Sequence, residues 1–236
     1  KFKFVSPLID CENRGEELTT IRPLKTAVEK AVQSALDGGA LTHASVYFRD
    51  LQNGPWFGIN ERTDFAPNAL LQLPIVMGIL KLADADPSLL NRKLPTPWGS
   101  RTLWDIVERM ITLSDNTAAV FLMEHLPGSA IKFVYTDLGL PDPDNRRFEN
   151  FIRIKDYAAL FRIMFNASYI SPANSEKGLE LLTRSDFRVG LLEGVPAGVI
   201  VAHKSSFRAL DNKEKQLHDC GIIYTADPYL LCVMTR

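Results

Sequence analysis

An apolar run near position 70 places the strongest constraint on how this chain can fold. From Leu70 to Leu80 the sequence reads LLQLPIVMGIL, which leaves a helix almost no polar face. A helix that is apolar on all sides belongs in the core of a protein or in a membrane. The run falls short of the roughly 20 residues that cross a bilayer. We therefore expect a buried central helix from Ala69 onward, with Asn68 as its N-cap, and no transmembrane segment.

The segments on both sides of this run predict one sheet drawn from the two ends of the chain. Alternating apolar residues rich in β-branched and aromatic types predict strands at 43–50, 56–60, 199–202, 220–225 and 229–235. Helical spacing of apolar residues predicts helices at 21–40, 102–113, 117–126, 130–138, 155–165 and 173–184. The fold class is therefore α+β: an antiparallel sheet flanked by helices, with an all-helical lobe inserted. The sheet lobe would comprise residues 1–66 and 185–236, and the helical lobe 67–184, within one folded unit.

Composition excludes several classes of function. The chain has 236 residues, 46% hydrophobic and 23% charged, with a net charge of -1. These values are typical of a globular domain and argue against a nucleic-acid partner. No cysteine or histidine spacing typical of a metal site is present, and no cofactor is implied. Because the cysteine count is odd, Cys11, Cys220 and Cys232 do not suggest a disulfide framework, and the last two are interpreted as small buried apolar residues.

Three short polar segments lie at the ends of predicted helices and strands, where catalytic residues are often found. They are Asn68–Gln72 at the start of the buried helix, Ser114-Asp115-Asn116 before another helix, and His203-Lys204-Ser205-Ser206 after a strand. Together with Val46–Asp50 and Gly221–Tyr224, and in this order, they resemble the class A β-lactamase and penicillin-binding D,D-peptidase superfamily. The resemblance extends over nearly the whole chain. It implies a β-lactamase/transpeptidase-like fold and acyl transfer through a serine, on β-lactams or D-Ala-D-Ala peptides.

The resemblance assigns roles, and two of the central ones are lost. The family has a nucleophilic serine where this chain has Ala69, and a proton-shuttling lysine where it has Gln72. Ser114 would be the relay hydroxyl, Asn116 an amide facing the substrate, and Lys204 the cation that attracts a substrate carboxylate. An alanine has no nucleophilic atom, and a glutamine side chain cannot act as a base.

The third segment and one loop acid complete the candidate site. Ser205 and Ser206 stand where the family usually has threonine or another residue and then glycine, and they are assigned to substrate binding. The backbone N–H groups of Phe207 and Ala69 would form the oxyanion hole. Glu149 is a weak candidate for the deacylating glutamate, because the expected asparagine four residues later is missing. The alternative is a solvated acid paired with Arg146 or Arg147.

Less specific interpretations of these residues stay open. Gln72 could be a core amide bonded to backbone, and Ser114-Asp115-Asn116 could serve as an N-cap cluster. Lys204 could be a solvated lysine of an edge strand. His203 is interpreted as a packed strand residue rather than a base.

The sequence thus predicts a β-lactamase-like domain without its nucleophile and general base, an inactive pseudoenzyme whose cleft binds a peptidoglycan-type peptide, a β-lactam or a protein partner. Because Gln72 and Ser206 also depart from the family, a single engineered change at Ala69 does not explain the pattern. Two alternatives remain: a hydrolase of the serine acyl-enzyme class seen as a knockout or degenerate form, and a structural module whose cleft is filled. The oligomeric state is open. The family's usual target implies a bacterial, extracytoplasmic location, whether periplasmic, cell-surface or secreted.

Overall fold

The computed structural model describes residues 2–7, 18–52, 54–140, 149–209 and 214–236. In chain order the strands are β1 Ala44–Asp50, β2 Trp56–Ile59, β3 Asp64–Phe65, β4 Lys93–Thr96, β5 Gly99–Thr102, β6 Ile152–Arg153, β7 Ile200–Ala209, β8 Lys215–Tyr224 and β9 Tyr229–Thr235. The α-helices are α1 Leu18–Asp37, α2 Gln72–Ala85, α3 Leu103–Thr112, α4 Asn116–His125, α5 Gly128–Asp137, α6 Ile154–Phe165 and α7 Pro172–Leu182. Single 3₁₀ turns cover Asn68–Leu71, Pro87–Asn91 and Gly190–Gly194.

The main sheet confirms the predicted architecture. It has five antiparallel strands in the order β2-β1-β9-β8-β7, so strands from the start of the chain pair with strands from its end. In the register of β1 and β9, Val46 lies opposite Val233. Between these strands the chain forms most of its helices, as expected for an inserted helical block. The exact lobe boundaries stay a prediction.

The two faces of the sheet pack against different helices. In β1, Tyr47 belongs to the main core shared with the central helices. Its neighbour Val46 faces the opposite side and packs with residues of β2 and α1, among them Val28. This alternation follows from the two-residue period of a strand. The sheet is therefore covered on one face by α1 and on the other by the helical block.

The central helix is buried as predicted, but it starts differently. The chain enters through the 3₁₀ turn, which is preceded by Pro67 without a side-chain cap. Asn68 adopts a left-handed conformation with φ 45°, and its amide donates to the Ala66 carbonyl oxygen at 3.3 Å. The N-cap prediction for Asn68 is wrong, because its side chain bonds backward along the chain and not to the helix N–H groups.

One segment of the described residues has the length and composition of a membrane span. It is Asn68–Ala85, and 61% of it is buried inside the fold. A soluble protein's core helix has the same character, and α2 is enclosed here by its neighbours, among them α5 and α7.

Several details of the sheet differ from the sequence prediction. Strand β7 continues to Ala209 instead of ending at residue 202, and β8 begins at Lys215 instead of 220. The short strands β3 to β6 were not predicted. Cys220 and Cys232 lie opposite each other on β8 and β9 and form a disulfide, so the interpretation as unbonded apolar residues is wrong although both are buried.

Candidate active site

Three elements bring the polar segments together. The 3₁₀ turn before α2 carries Ala69, and β7 carries Lys204. Ser114 lies in the turn between α3 and α4, and Asn116 is the first residue of α4. Ala69 and Asn116 line the same cavity, and Ser114 is bonded to Lys204. The structure therefore places Ala69 and Asn116 at one cavity and Ser114 against Lys204, and the roles assigned to these residues stay a prediction.

Lys204 is a buried cation with two hydrogen bonds. Its ammonium donates to Ser114 Oγ at 2.9 Å and to the carbonyl oxygen of Ser205 at 2.9 Å. Only 2% of the residue is exposed. Burial lowers the pKa of Lys204 to about 8, against the opposing attraction of Asp219. The interpretation of Lys204 as a solvated lysine of an edge strand is therefore wrong, because the side chain is almost completely shielded from solvent.

Gln72 stands at the position where the family has its proton-shuttling lysine. Its Nε2 donates to Asn116 Oδ1 at 3.1 Å, while its Oε1 is buried with no hydrogen-bond partner within the protein. Gln72 is 2% exposed, so the orphaned oxygen has no access to bulk water either. The alternative of a core amide bonded to backbone does not hold, because within the described part of the chain the Gln72 side chain bonds to a side chain, that of Asn116.

The middle segment is both a helix cap and a part of the cleft. Ser114 adopts a left-handed conformation with φ 53°, which turns the chain from α3 into α4. Asp115 caps α4 by accepting from the N–H groups of Thr117 and Ala118. Burial opposes the ionised form of Asp115, yet these bonds and the Arg109 guanidinium at 2.6 Å keep its pKa below the ordinary value. The capping interpretation is thus correct for Asp115, while its two neighbours stay available to the cleft.

The third segment is more buried than a strand edge usually is. Ser205 and Ser206 are 4% and 2% exposed, and Ser206 Oγ has no hydrogen-bond partner within the protein. Phe207, the next residue, is 60% exposed on the edge strand of the sheet. The assignment of its N–H and that of Ala69 to an oxyanion hole stays a prediction.

A network that sequence reasoning missed lies on β8 below the turn of Ala69. Gln216 Oε1 accepts from the Ala66 N–H at 3.1 Å, and its Nε2 donates to Asn150 Oδ1 at 2.9 Å and Glu214 Oε1 at 2.7 Å. His218 Nε2 is 3.2 Å from both the Ala66 carbonyl oxygen and Gln216 Oε1. Both neighbours are acceptors, so Nε2 carries a proton. Burial lowers the pKa of His218 to about 4.

A second missed pair lies on β7 and β8. His203 Nδ1 is 2.9 Å from Asp219 Oδ1, and Asp219 Oδ2 accepts from the Leu191 N–H at 3.0 Å. Gly190 makes this approach possible, because a Cβ there would stand 2.7 Å from the carboxylate and its φ is 80°. The interpretation of His203 as a packed strand residue agrees with its 1% exposure. The only signal of these pairs in the sequence was the presence of consecutive polar residues, His203 to Ser206 and His218-Asp219, next to apolar strand segments.

The loop acid Glu149 is exposed and does not line the cavity beside Ala69. Its neighbour Asn150 reaches the β8 network, where its Oδ1 accepts from Gln216 Nε2. The alternative partners Arg146 and Arg147 lie outside the described residues. Among the residues described, no group of histidine, cysteine and carboxylate side chains could hold a metal ion.

Comparison with solved structures supports the fold. The structure of PBP-A matches with a TM-score of 0.71 and 21% identity, covering 82% of this chain and 81% of that one. A TLA-3 extended-spectrum β-lactamase matches with a TM-score of 0.77 and 15% identity over 89% and 90% of the two chains. A class A β-lactamase from Mycobacterium abscessus gives 0.73 and 20% over 88% and 89%. At such identities the likeness concerns the fold alone.

Sequence comparison supplies the family. A search of curated proteins finds no match. The family model described as the beta-lactamase enzyme family matches residues 27–236, which include the turn of Ala69, Ser114-Asp115-Asn116 and Lys204. Because this match covers most of the sequence, the chain belongs to the beta-lactamase enzyme family.

Proposed function

We propose that this protein is a non-catalytic member of its family that binds the carboxylate of a peptidoglycan-type peptide or a β-lactam without forming an acyl-enzyme. One observation carries the proposal. Lys204, a buried ammonium bonded to Ser114 Oγ at 2.9 Å, stands beside a site whose remaining members are a methyl group and an amide. The cation that attracts a carboxylate is kept, whereas the groups that would attack the carbonyl are not.

The chemistry of acyl transfer explains why turnover is not expected. The reaction needs a hydroxyl to attack the carbonyl and a base to take its proton. Ala69 has no hydroxyl, and the Gln72 amide cannot accept a proton near neutral pH. In a different serine hydrolase, loss of the nucleophile lowers the rate by about 10⁶. A loss of that order removes useful turnover but leaves ground-state binding.

The retained groups favour an anionic ligand. An ammonium in a partly dry site attracts a carboxylate more strongly than one in water does, because its charge is less screened. A mutant of PBP-A, a protein of the same fold, is known as an acyl-enzyme complex with penicillin G. For this chain we propose the same class of ligand held reversibly, in an extracytoplasmic location where peptidoglycan peptides occur.

The alternative of a structural module with a filled cleft is disfavoured by a cavity. A space of about 260 Å³ lies beside Ala69, Gln72 and Asn116. Val120 and Met123, at its other side, are 41% and 48% exposed, so the cavity opens to solvent. This space argues against a filled cleft on the side of Ala69 and Asn116; Ser114 and Lys204 do not line it.

A fluorescent penicillin tests the loss of acyl chemistry. We expect no label to survive denaturation in the natural protein, and we expect the double variant Ala69→Ser with Gln72→Lys to become labelled. A covalent adduct on the natural protein would refute the proposal. Failure of the folded double variant to acylate would show that the rest of the site no longer positions a β-lactam.

Reversible binding is tested separately with a peptide that ends in D-Ala-D-Ala. We expect calorimetry to detect binding to the natural protein and a loss of about tenfold or more in Lys204→Met, since a buried charge pair contributes at least that much. Lys93→Met changes an exposed lysine on β4 and serves as the matched control. Equal affinity in all three proteins would contradict the role of Lys204.

A further inference from the structure

The turn that carries Ser114 is under restraint. Ser114 has a left-handed backbone conformation with φ 53°, which is unfavourable for a residue with a Cβ atom. Such a conformation persists only where the surrounding structure enforces it. The Ser114 hydroxyl accepts from the Lys204 ammonium at 2.9 Å. Whatever enforces the turn therefore also fixes this partner of Lys204.

The next residue, Asp115, ties the turn to both of the helices that it joins. Its Oδ1 accepts from the N–H groups of Thr117 and Ala118 at 2.8 and 3.2 Å, in the first turn of α4. Its Oδ2 accepts from Arg109 Nε at 2.6 Å, in the last turn of α3. Because Ser114 and Asp115 share a peptide bond, a carboxylate held on both sides limits the orientations open to Ser114.

Arg109 is held in turn by the β4–β5 hairpin. The central carbon of its guanidinium lies 4.5 Å from the centre of the Trp98 ring, a cation–π contact. Trp98 stands at the tip of the hairpin, where Thr96 Oγ1 accepts from its N–H at 3.1 Å and donates to the Gly99 carbonyl oxygen at 2.6 Å. One guanidinium therefore joins the hairpin, α3 and the turn that carries Ser114.

We propose that Arg109 is a positioning residue, which holds Asp115 and, through it, the Ser114 hydroxyl in the orientation that receives the Lys204 ammonium. The inference rests on the proposed function in taking Lys204 as the group that binds the carboxylate of the ligand. The Arg109 side chain is 40% exposed, and an ion pair at such a site adds little to stability. The importance of this ion pair is therefore geometric.

A double-mutant cycle separates positioning from a general loss of stability. Arg109→Met removes the donor while keeping an unbranched side chain, and Ser114→Ala removes the hydroxyl. In calorimetry we expect each single variant to bind a peptide that ends in D-Ala-D-Ala about fivefold more weakly, the value of one hydrogen bond. Because Arg109 acts through Ser114, the double variant should bind no more weakly than Ser114→Ala alone.

An NMR titration of the ¹⁵N-labelled protein gives a readout that needs no ligand. The backbone signals of Lys204 and Ser205 report the protonation of the ammonium. Its midpoint should fall by about 1 pH unit in Ser114→Ala, because the charged form loses a hydrogen bond. Arg109→Met should show the same fall, and the double variant no further one. Asp219, whose attraction also acts on this ammonium, is the same in all of these proteins.

Two further variants complete the test. Arg184→Met is the matched control, because Arg184 is 48% exposed and pairs at 2.7 Å with Glu108, the neighbour of Arg109 on α3. It should leave the affinity and the Lys204 midpoint unchanged. Asp115→Asn keeps a good N-cap side chain and removes the charge that Arg109 binds, so it should reproduce Arg109→Met. It takes the place of Arg109→Met in the cycle if that variant does not fold.

The outcomes separate this inference from the proposed function. An unchanged Lys204 midpoint in Arg109→Met, additive losses in the double variant, or equal effects in Arg184→Met would each overturn the inference. If the natural protein bound no peptide, the proposed function would fail, and the midpoints would still decide the inference. Peptide binding that is lost in Lys204→Met but kept in Arg109→Met and Asp115→Asn would overturn the inference and leave the proposed function standing.

Discussion

Replacing Lys204 by methionine should change how stability depends on pH. In the native protein burial lowers the pKa of this ammonium from its ordinary 10.5 to about 8. At 1.36 kcal/mol per pH unit this corresponds to roughly 3 kcal/mol, the cost of keeping the charge buried at neutral pH. Because the unfolded chain binds the proton more tightly, the native protein gains stability as the pH rises from about 8 to 10.5. Lys204→Met has no such proton and should lack that rise.

At pH 7 two effects oppose each other in the variant. Methionine removes the cost of the buried charge, but Ser114 Oγ and the Ser205 carbonyl oxygen each lose a hydrogen bond worth about 1 kcal/mol. We therefore expect Lys204→Met to be more stable than the natural protein by about 1 kcal/mol at pH 7, and less stable by about 2 kcal/mol above pH 10.5. The crossing of the two curves, rather than either value alone, is the signature of a buried ammonium.

Urea denaturation at intervals from pH 7 to 11 measures both curves, and Lys93→Met provides the curve of a variant that lost an exposed lysine. Tyrosines and other lysines titrate alike in the three proteins, so they cancel in the differences. Parallel curves for the natural protein and Lys204→Met would refute the reasoning, because they would mean that the ammonium keeps its solvation. The same titration should weaken carboxylate binding about tenfold per pH unit above pH 8, where the free protein loses the proton.

Two further groups give sharp expectations. Burial lowers the pKa of His218 from 6.5 to about 4, so stability should fall by roughly 3 kcal/mol as the pH drops from 6.5 to 4, and His218→Gln should flatten this fall in urea titrations. Peptide mapping without reductant should recover Cys220 and Cys232 as one cross-linked pair. The double variant with alanine at both positions should be less stable by about 3 kcal/mol, since the bridge closes a short loop; a stability equal to that of the natural protein would argue against the bridge.

The architecture was predictable because its signals are local. Strands from both ends of the chain alternate apolar and polar residues, and the run after Ala69 is apolar on all sides, which only a core helix satisfies. The fold then follows, because an amphipathic sheet must cover its apolar faces with helices. The short strands β3 to β6 have two to four residues each, too few for any alternation to be recognised.

The details of the site depend on register and so could not be predicted. Beyond Ala202, β7 continues through polar residues that look like a loop but are buried against β8. Which residue of β8 faces Lys204 is decided by the pairing of the strands, and that residue is Cys220. The disulfide depends in the same way on the register that sets Cys220 opposite Cys232. Spacing along the sequence specifies neither pairing.

The unpaired polar atoms of the described residues belong to three elements, and two of them stand on directly paired residues, Ser206 of β7 and His218 of β8. Four buried side-chain atoms have no partner within the protein: Gln72 Oε1, His203 Nε2, Ser206 Oγ and His218 Nδ1. Three of them belong to side chains of β7 and β8, and the fourth stands at the first residue of α2, directly after the turn that packs on β7. Each costs about 1–3 kcal/mol when left unpaired, a large part of the stability of a domain. A core that had lost all function could lower this cost with apolar side chains of the same size. Of these four residues only Gln72 lines the cavity of Ala69 and Asn116, so the proposal of a retained ligand site gains support from Gln72 and not from the group as a whole.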